Sequence, residues 1–160
     1  MDWNSKRTKQ VILGAILLLW ACGMLLRPSP YGRVNVWEDV SLTTDRAVYE
    51  TTADCVSVTV HTDTEEPVSA VWSPKYASEK YSHWALERKR LGVWCTVKQA
   101  KVPLPWPDKG VVIFDDGEEL ACGIAEHYAL PLKPGEYRIV LPQCSHGGRN
   151  GHLAVEFEVE

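Results

Sequence analysis

Cys144, His146 and His152 are the residues of this 160-residue chain whose types and spacing best suit chemistry. One thiol and two imidazoles around a Gly-rich stretch, Ser145 to Gly151, are ligands of the kind zinc takes, and a hairpin there would bring them together. A structural zinc site closes on four ligands, usually at tighter paired spacing, so Cys55 or Cys95 would have to supply the fourth. The plainer reading is polar residues on a glycine-rich turn, and no cofactor is expected. Asp115-Asp116-Gly117-Glu118-Glu119 lacks the alternating oxygen spacing of a calcium loop and reads as a solvated hairpin tip. The chain has no Gly-x-Ser-x-Gly elbow, no His-Glu-x-x-His and no phosphate-binding glycine loop. Ser145 and His146 are adjacent in a turn, where their side chains diverge. The expectation is a protein that is not an enzyme.

The other cysteines and the aromatic residues complete the candidate set. Cys55, Cys95, Cys122 and Cys144 all lie beyond the first thirty residues, and in an exported domain they could form disulfides whose pairing the sequence leaves open. Buried free thiols are the alternative, because cysteine packs as a small apolar residue; Cys122, in register with Leu120 and Ile124, fits that best. Trp106 lies between Pro105 and Pro107 and cannot sit in a central strand. Exposed beside a tyrosine such as Tyr128, it would make a platform for a sugar or peptide; folded back, it would cap one end of the domain. Trp84 shares a strand face with Leu86 and is expected in the core, and Trp94 over a hairpin.

These residues are carried by strands. Val56 to Thr62 alternates with valine at the even positions, Val40 to Thr44 alternates before it, and Asp63 to Pro67 is a turn. Val68 to Trp72 is a short apolar stretch. Tyr81 to Lys89 places Trp84, Leu86 and Arg88 on one face and His83, Ala85, Glu87 and Lys89 on the other. Arg90-Leu91-Gly92 turns it into Val93 to Lys98. Pro103, Pro105 and Pro107 interrupt the middle of the chain. Val111 to Phe114, Glu118 to His127, Glu136 to Leu141 and His152 to Glu160 complete the strands. About seven to nine short strands spaced by turns indicate an all-β, two-sheet antiparallel sandwich, with a closed barrel as the alternative.

The first thirty residues set the location. Lys6, Arg7 and Lys9 precede sixteen uncharged residues, Val11 to Leu26, which end at Arg27-Pro28-Ser29-Pro30. Basic residues ahead of an apolar run keep the N-terminus in the cytoplasm and send the downstream chain across the membrane. As a helix the run spans roughly 24 Å, short for a hydrocarbon core of about 30 Å. Leu19-Trp20-Ala21-Cys22 offers lipidation at Cys22 as the alternative anchor, and simple secretion is the third. The chain divides into a cytoplasmic basic flank (1–10), an anchor or signal segment (11–26), a short stiff linker (27–37) and one outer domain (38–160). The formal net charge is −4, removing the basic N-terminal flank leaves the outer domain more acidic still, and no basic stripe is present, so a nucleic-acid partner is excluded. The membrane, an unknown surface protein and cell-wall glycan remain as partners.

Leu132-Lys133-Pro134-Gly135-Glu136-Tyr137-Arg138-Ile139 puts a tyrosine just after a Pro-Gly turn at the start of a late strand. In immunoglobulin-like domains a tyrosine there hydrogen-bonds back to the backbone and pins the crossover. The string Tyr81 to Lys89, the Gly92-Val93-Trp94 hairpin and Leu130 to Val140, with Val40 to Thr44, Tyr49 and Val56 to Thr62, resembles a bacterial immunoglobulin-like domain. That domain is found in membrane-anchored proteins and lipoproteins of Gram-positive bacteria. The resemblance covers residues 38 to 160. It implies an immunoglobulin-like antiparallel sandwich behind an N-terminal transmembrane or signal helix, on the cell membrane with the C-terminal domain extracytoplasmic. It carries no catalytic residues, and the cysteines depart from its pattern.

Overall fold

The structure, a computed structural model, describes residues 10–15, 27–72, 84–100 and 110–160. Residues 10–15 are helical. No helix among the described residues is long and apolar enough to cross a membrane. Cys22 and most of the anchor segment lie outside the described residues.

The rest is β structure in two sheets. The smaller holds β1 (Val40–Thr44), β3 (Cys55–Thr62) and β8 (Glu119–Gly123), in the order β1-β3-β8, all antiparallel. The larger runs β2-β10-β9-β4-β7, with β5 and β6 joined to β9. Its strands are β2 (Val48–Tyr49), β4 (Val68–Trp72), β5 (Ala85–Arg90), β6 (Val93–Thr96), β7 (Gly110–Phe114), β9 (Gly135–His146) and β10 (Arg149–Val159). Only β2 runs parallel to its neighbour, β10, among the pairings of the described residues.

One apolar cluster joins the sheets. The period-2 alternation of β3 buries Val56, Val58 and Val60 from the smaller sheet. Leu86, Tyr137, Ile139, Leu141, Leu153 and Phe157 meet them from the larger one. Trp84 is buried in this cluster, as its strand face required. The Tyr137 hydroxyl donates to the Lys133 carbonyl at 2.7 Å, the backward bond expected of a corner tyrosine, and its ring stacks on Phe157.

Two expectations about local structure change. The alternation of Glu118 to His127 predicts one strand, but β8 stops at Gly123 and Ile124–His127 forms a single helical turn. The turn keeps Ile124 and Tyr128 in the core, 0% and 2% exposed, and leaves Glu126 outside; a continued strand would put Glu126 on the core face between them. The final hairpin is also longer and tighter than the sequence indicates. Gly147 and Gly148 take φ of +56° and +68°, so a two-residue turn joins β9 directly to β10.

The larger sheet is interrupted along one transverse line. On one edge of β9, β5 pairs with residues 137–140 and β4 with 144–145, so β4 and β5 form a single strand broken between Trp72 and Ala85. β6 and β7 form a second broken strand beside it, because Glu87 pairs with Thr96 and Trp72 with Gly110. The same level carries the bulge between Gly151 and Leu153 in β10 and Gln143 at φ +57° in β9.

Candidate functional site

Tyr137, Ile139 and Leu141 of β9 point into the shared core, so Arg138 and Val140 point to the outer face of the larger sheet. That face is buried as well. Ala85, Glu87, Arg138, Val140 and Ala154 are 3%, 0%, 5%, 0% and 6% exposed, yet none belongs to the core cluster.

The cover is the segment expected to be a linker. Thr96 N donates to Arg27 O at 3.0 Å, Ser29 N donates to Trp94 O at 2.8 Å, and Pro28 bridges to Cys95, so residues 27–29 are tied to the outer edge of β6 by one antiparallel bridge. The chain then crosses to the opposite edge. There Asn35 N donates to His152 O, while its side chain donates to Ala154 O at 3.0 Å and accepts from Ala154 N at 2.7 Å. Beyond it, Trp37 turns into the core beside Gly151, where an added Cβ would lie 2.5 Å from Val36 and 2.8 Å from Trp37. Residues 27–37 are a strap across the sheet rather than a tether in front of it.

Beneath the strap lies an ion pair. Arg138 Nε donates to Glu87 Oε2 at 2.7 Å across the β5–β9 register, and Arg138 Nη2 lies 2.7 Å from the same oxygen. The second Glu87 oxygen has no hydrogen-bond partner among the described residues. Arg138 also reaches Ser29 Oγ at 3.4 Å and stacks 4.6 Å over the Trp94 ring, which Lys89 approaches at 5.5 Å. Lys89 in turn pairs with Glu136 at 2.6 Å, and that hydrogen bond holds the Lys89 ammonium above its ordinary range. A guanidinium over an indole is a favourable cation–π contact. Trp94 thus packs over its hairpin, as expected, but between two cations.

The candidate zinc ligands are not brought together. No group of three metal-binding side chains is present among the described residues. Cys144 is buried in the core, where burial pushes its thiol up to about 12. His146 Nε2 donates to Asp39 Oδ2 at 3.1 Å, which holds the Asp39 carboxyl below the usual range. His152, at the bulge, accepts from Gln143 N at 3.1 Å, and burial lowers its imidazole. Each residue is committed to a different neighbour because the tight Gly147-Gly148 turn keeps them in strands instead of gathering them in a loop.

The remaining candidates are scattered over the fold. Cys55, Cys95, Cys122 and Cys144 are all free thiols, the alternative to disulfides that the sequence leaves open. Cys122 pairs with Val56 on the core face of the smaller sheet, so Cys55, one residue along, faces the other way. Burial, then the charge of Asp45, raises the Cys55 thiol, which is the opposite of nucleophile activation. Tyr128 is corrected from platform to core: it is buried beside Trp84 and accepts the Leu86 N–H at 3.0 Å. Trp106 lies outside the described residues.

An open groove of about 480 Å³ lies at the other end of the molecule, lined by Asp45, Arg46, Tyr49, Glu50, Asp54 and Cys55 among others. The Tyr49 hydroxyl donates to Asp45 there, which keeps the Asp45 carboxyl low; burial, and then that hydrogen bond, keeps the Tyr49 phenol high. Its carboxylates are not arranged around a common point.

No family model matches the chain, and no curated protein matches it. Among solved structures, the chain is similar to the β-glucosidase EmGH1 from Erythrobacter marinus at 14% identity, with a TM-score of 0.34 over 84% of this chain and 19% of that one. The chain spans about a fifth of that enzyme's length, and a likeness of this size carries no argument about activity.

Proposed function

We propose that the chain is a membrane-tethered, extracytoplasmic immunoglobulin-like sandwich that acts as an interaction or structural module and has no catalytic activity of its own. The observation that carries this reading is the strap. Arg27 directly follows the apolar run in sequence and its carbonyl already accepts from Thr96 N, so the module begins where the apolar run ends. The corner bond of Tyr137, the buried Trp84 and the core shared by two sheets support the immunoglobulin-like assignment. The basic flank and the Pro-rich exit support the N-in, domain-out orientation.

Crosslinking of the anchored chain on intact cells, followed by mass spectrometry, is expected to recover one recurrent protein partner. Recovery of wall glycan without protein would replace this reading with wall binding and make Trp106 the residue to mutate.

A further inference from the structure

We propose that the first half of the strap, residues 27–30, is a hinged cover that swings about Gly32 and bares the outer edge of β6 while the Asn35–Trp37 half stays docked. This device goes beyond the interaction reading and rests on the strap alone. A segment opens locally when it buries little and holds few bonds, whatever the stability of the domain behind it.

The two halves differ in both respects. Asn35 takes part in three hydrogen bonds to β10, one through its backbone N–H and two through its side chain, and Trp37 is buried in the core. The first half has two backbone bonds to β6, and Pro28 between them has no N–H to give. Arg27, Pro28 and Pro30 are exposed; Ser29 is half-buried, with Arg138 Nη2 a long 3.4 Å from its hydroxyl. Arg27 also sits at φ +48°, a left-handed conformation that is costly for arginine and that release relieves. Between the halves, no backbone–backbone hydrogen bond of residues 30–34 reaches the sheet among the described residues. Gly32 turns the chain there at φ +58°, with open space around it.

What lies underneath favours opening as well. Glu87 is fully buried, and one of its oxygens has no hydrogen-bond partner among the described residues. A buried acceptor without a partner carries its desolvation cost while the cover is shut, and water reaches it when the cover lifts. Lifting also frees Trp94 O and Thr96 N, the two groups of the β6 edge that the cover occupies. An unpaired edge is where a sheet accepts another strand, so the cover decides when this edge is available. Arg27 is next in sequence to the apolar run, so a displacement of that run reaches the cover first.

The test is amide hydrogen exchange of the full-length chain in detergent micelles. It is read at Thr96, whose N–H is held by Arg27, and at Ala154, whose N–H is held by Asn35. Corrected for intrinsic rates, Thr96 is expected to exchange about tenfold faster than Ala154 or more. Gly32→Ala strains the closed bend and is expected to speed Thr96 about fivefold without moving Ala154. A second variant holds the cover shut. Pro28 and Cys95 lie directly opposite each other, flanked by the two backbone bonds. Such a pair has its Cα atoms about 4.5 Å apart, within disulfide reach. Oxidised Pro28→Cys is expected to join to Cys95 and slow Thr96 to the rate of Ala154 or below, and reduction to reverse this. Equal exchange at Thr96 and Ala154 in the native chain overturns the proposal. So does a Gly32→Ala variant that speeds both amides alike, a Pro28→Cys variant that does not join to Cys95, or a disulfide that leaves Thr96 exchange unchanged.

Discussion

Arg138→Ala is expected to cost the domain about 3–5 kcal/mol, the loss typical of breaking a buried ion pair from one side. Glu87 is fully buried, and Arg138 donates to only one of its oxygens; the other is already without a partner among the described residues. Removing the guanidinium strands a carboxylate under the strap and also empties the space beneath Ser29 and over Trp94. Replacing both partners with apolar residues of similar volume, Glu87→Leu with Arg138→Met, removes the stranded charge and is expected to recover most of the loss. Urea unfolding of the single and double variants measures both effects. Equal destabilisation in the two would contradict this explanation, because it would place the cost in packing rather than in the unpaired charge.

Asn35→Ala carries the second large effect, about 2–4 kcal/mol. Two side-chain hydrogen bonds to Ala154 are lost, each with a net contribution of about 0.5–1.5 kcal/mol. Asn35 also sits at φ +54°, where alanine adds about 1 kcal/mol of strain that asparagine largely avoids. Asn35→Gly removes the bonds without the strain and is expected to fall between the native chain and Asn35→Ala. Hydrogen exchange adds a spatial readout. Release of this end of the strap should speed exchange at the Ala154 amide while the Ile139 amide, in the middle of the sheet, stays protected. Thermal unfolding that ranks the three proteins in any other order would contradict the assigned role of the Asn35 conformation.

The strands are legible in the sequence where one face is apolar and the other polar. The valines of β3, the Trp84–Leu86 face, the hairpin ending at Trp94 and the corner Tyr137 all follow from local alternation and turn residues. The outer face of the larger sheet is not legible. Alternation puts Glu87 and Arg138 on a non-core face, which is correct, but burial of that face depends on a strap some fifty to a hundred residues earlier in the chain. Pro28, Pro30 and Gly32 disguise the strap, because they read as a linker, and proline is also the residue tolerated in an edge strand. The helical turn after β8 escapes notice because Leu120, Cys122 and Ile124 keep the strand period through the point where the backbone changes. The metal and disulfide candidates are undecidable from the sequence for a common reason. Spacing along the chain does not reveal which face of a sheet each side chain occupies, and Cys144, His146 and His152 each find separate partners.

The membrane-tethered, extracytoplasmic reading depends on the domain lying outside the membrane, and Cys55 reports on that directly. It is exposed, while Cys95, Cys122 and Cys144 are buried. A membrane-impermeant maleimide applied to intact cells at mildly alkaline pH, to offset the raised thiol, is predicted to label the native chain and not the Cys55→Ser variant. Labelling of Cys55 only after the cells are permeabilised would put the domain in the cytoplasm and contradict the account.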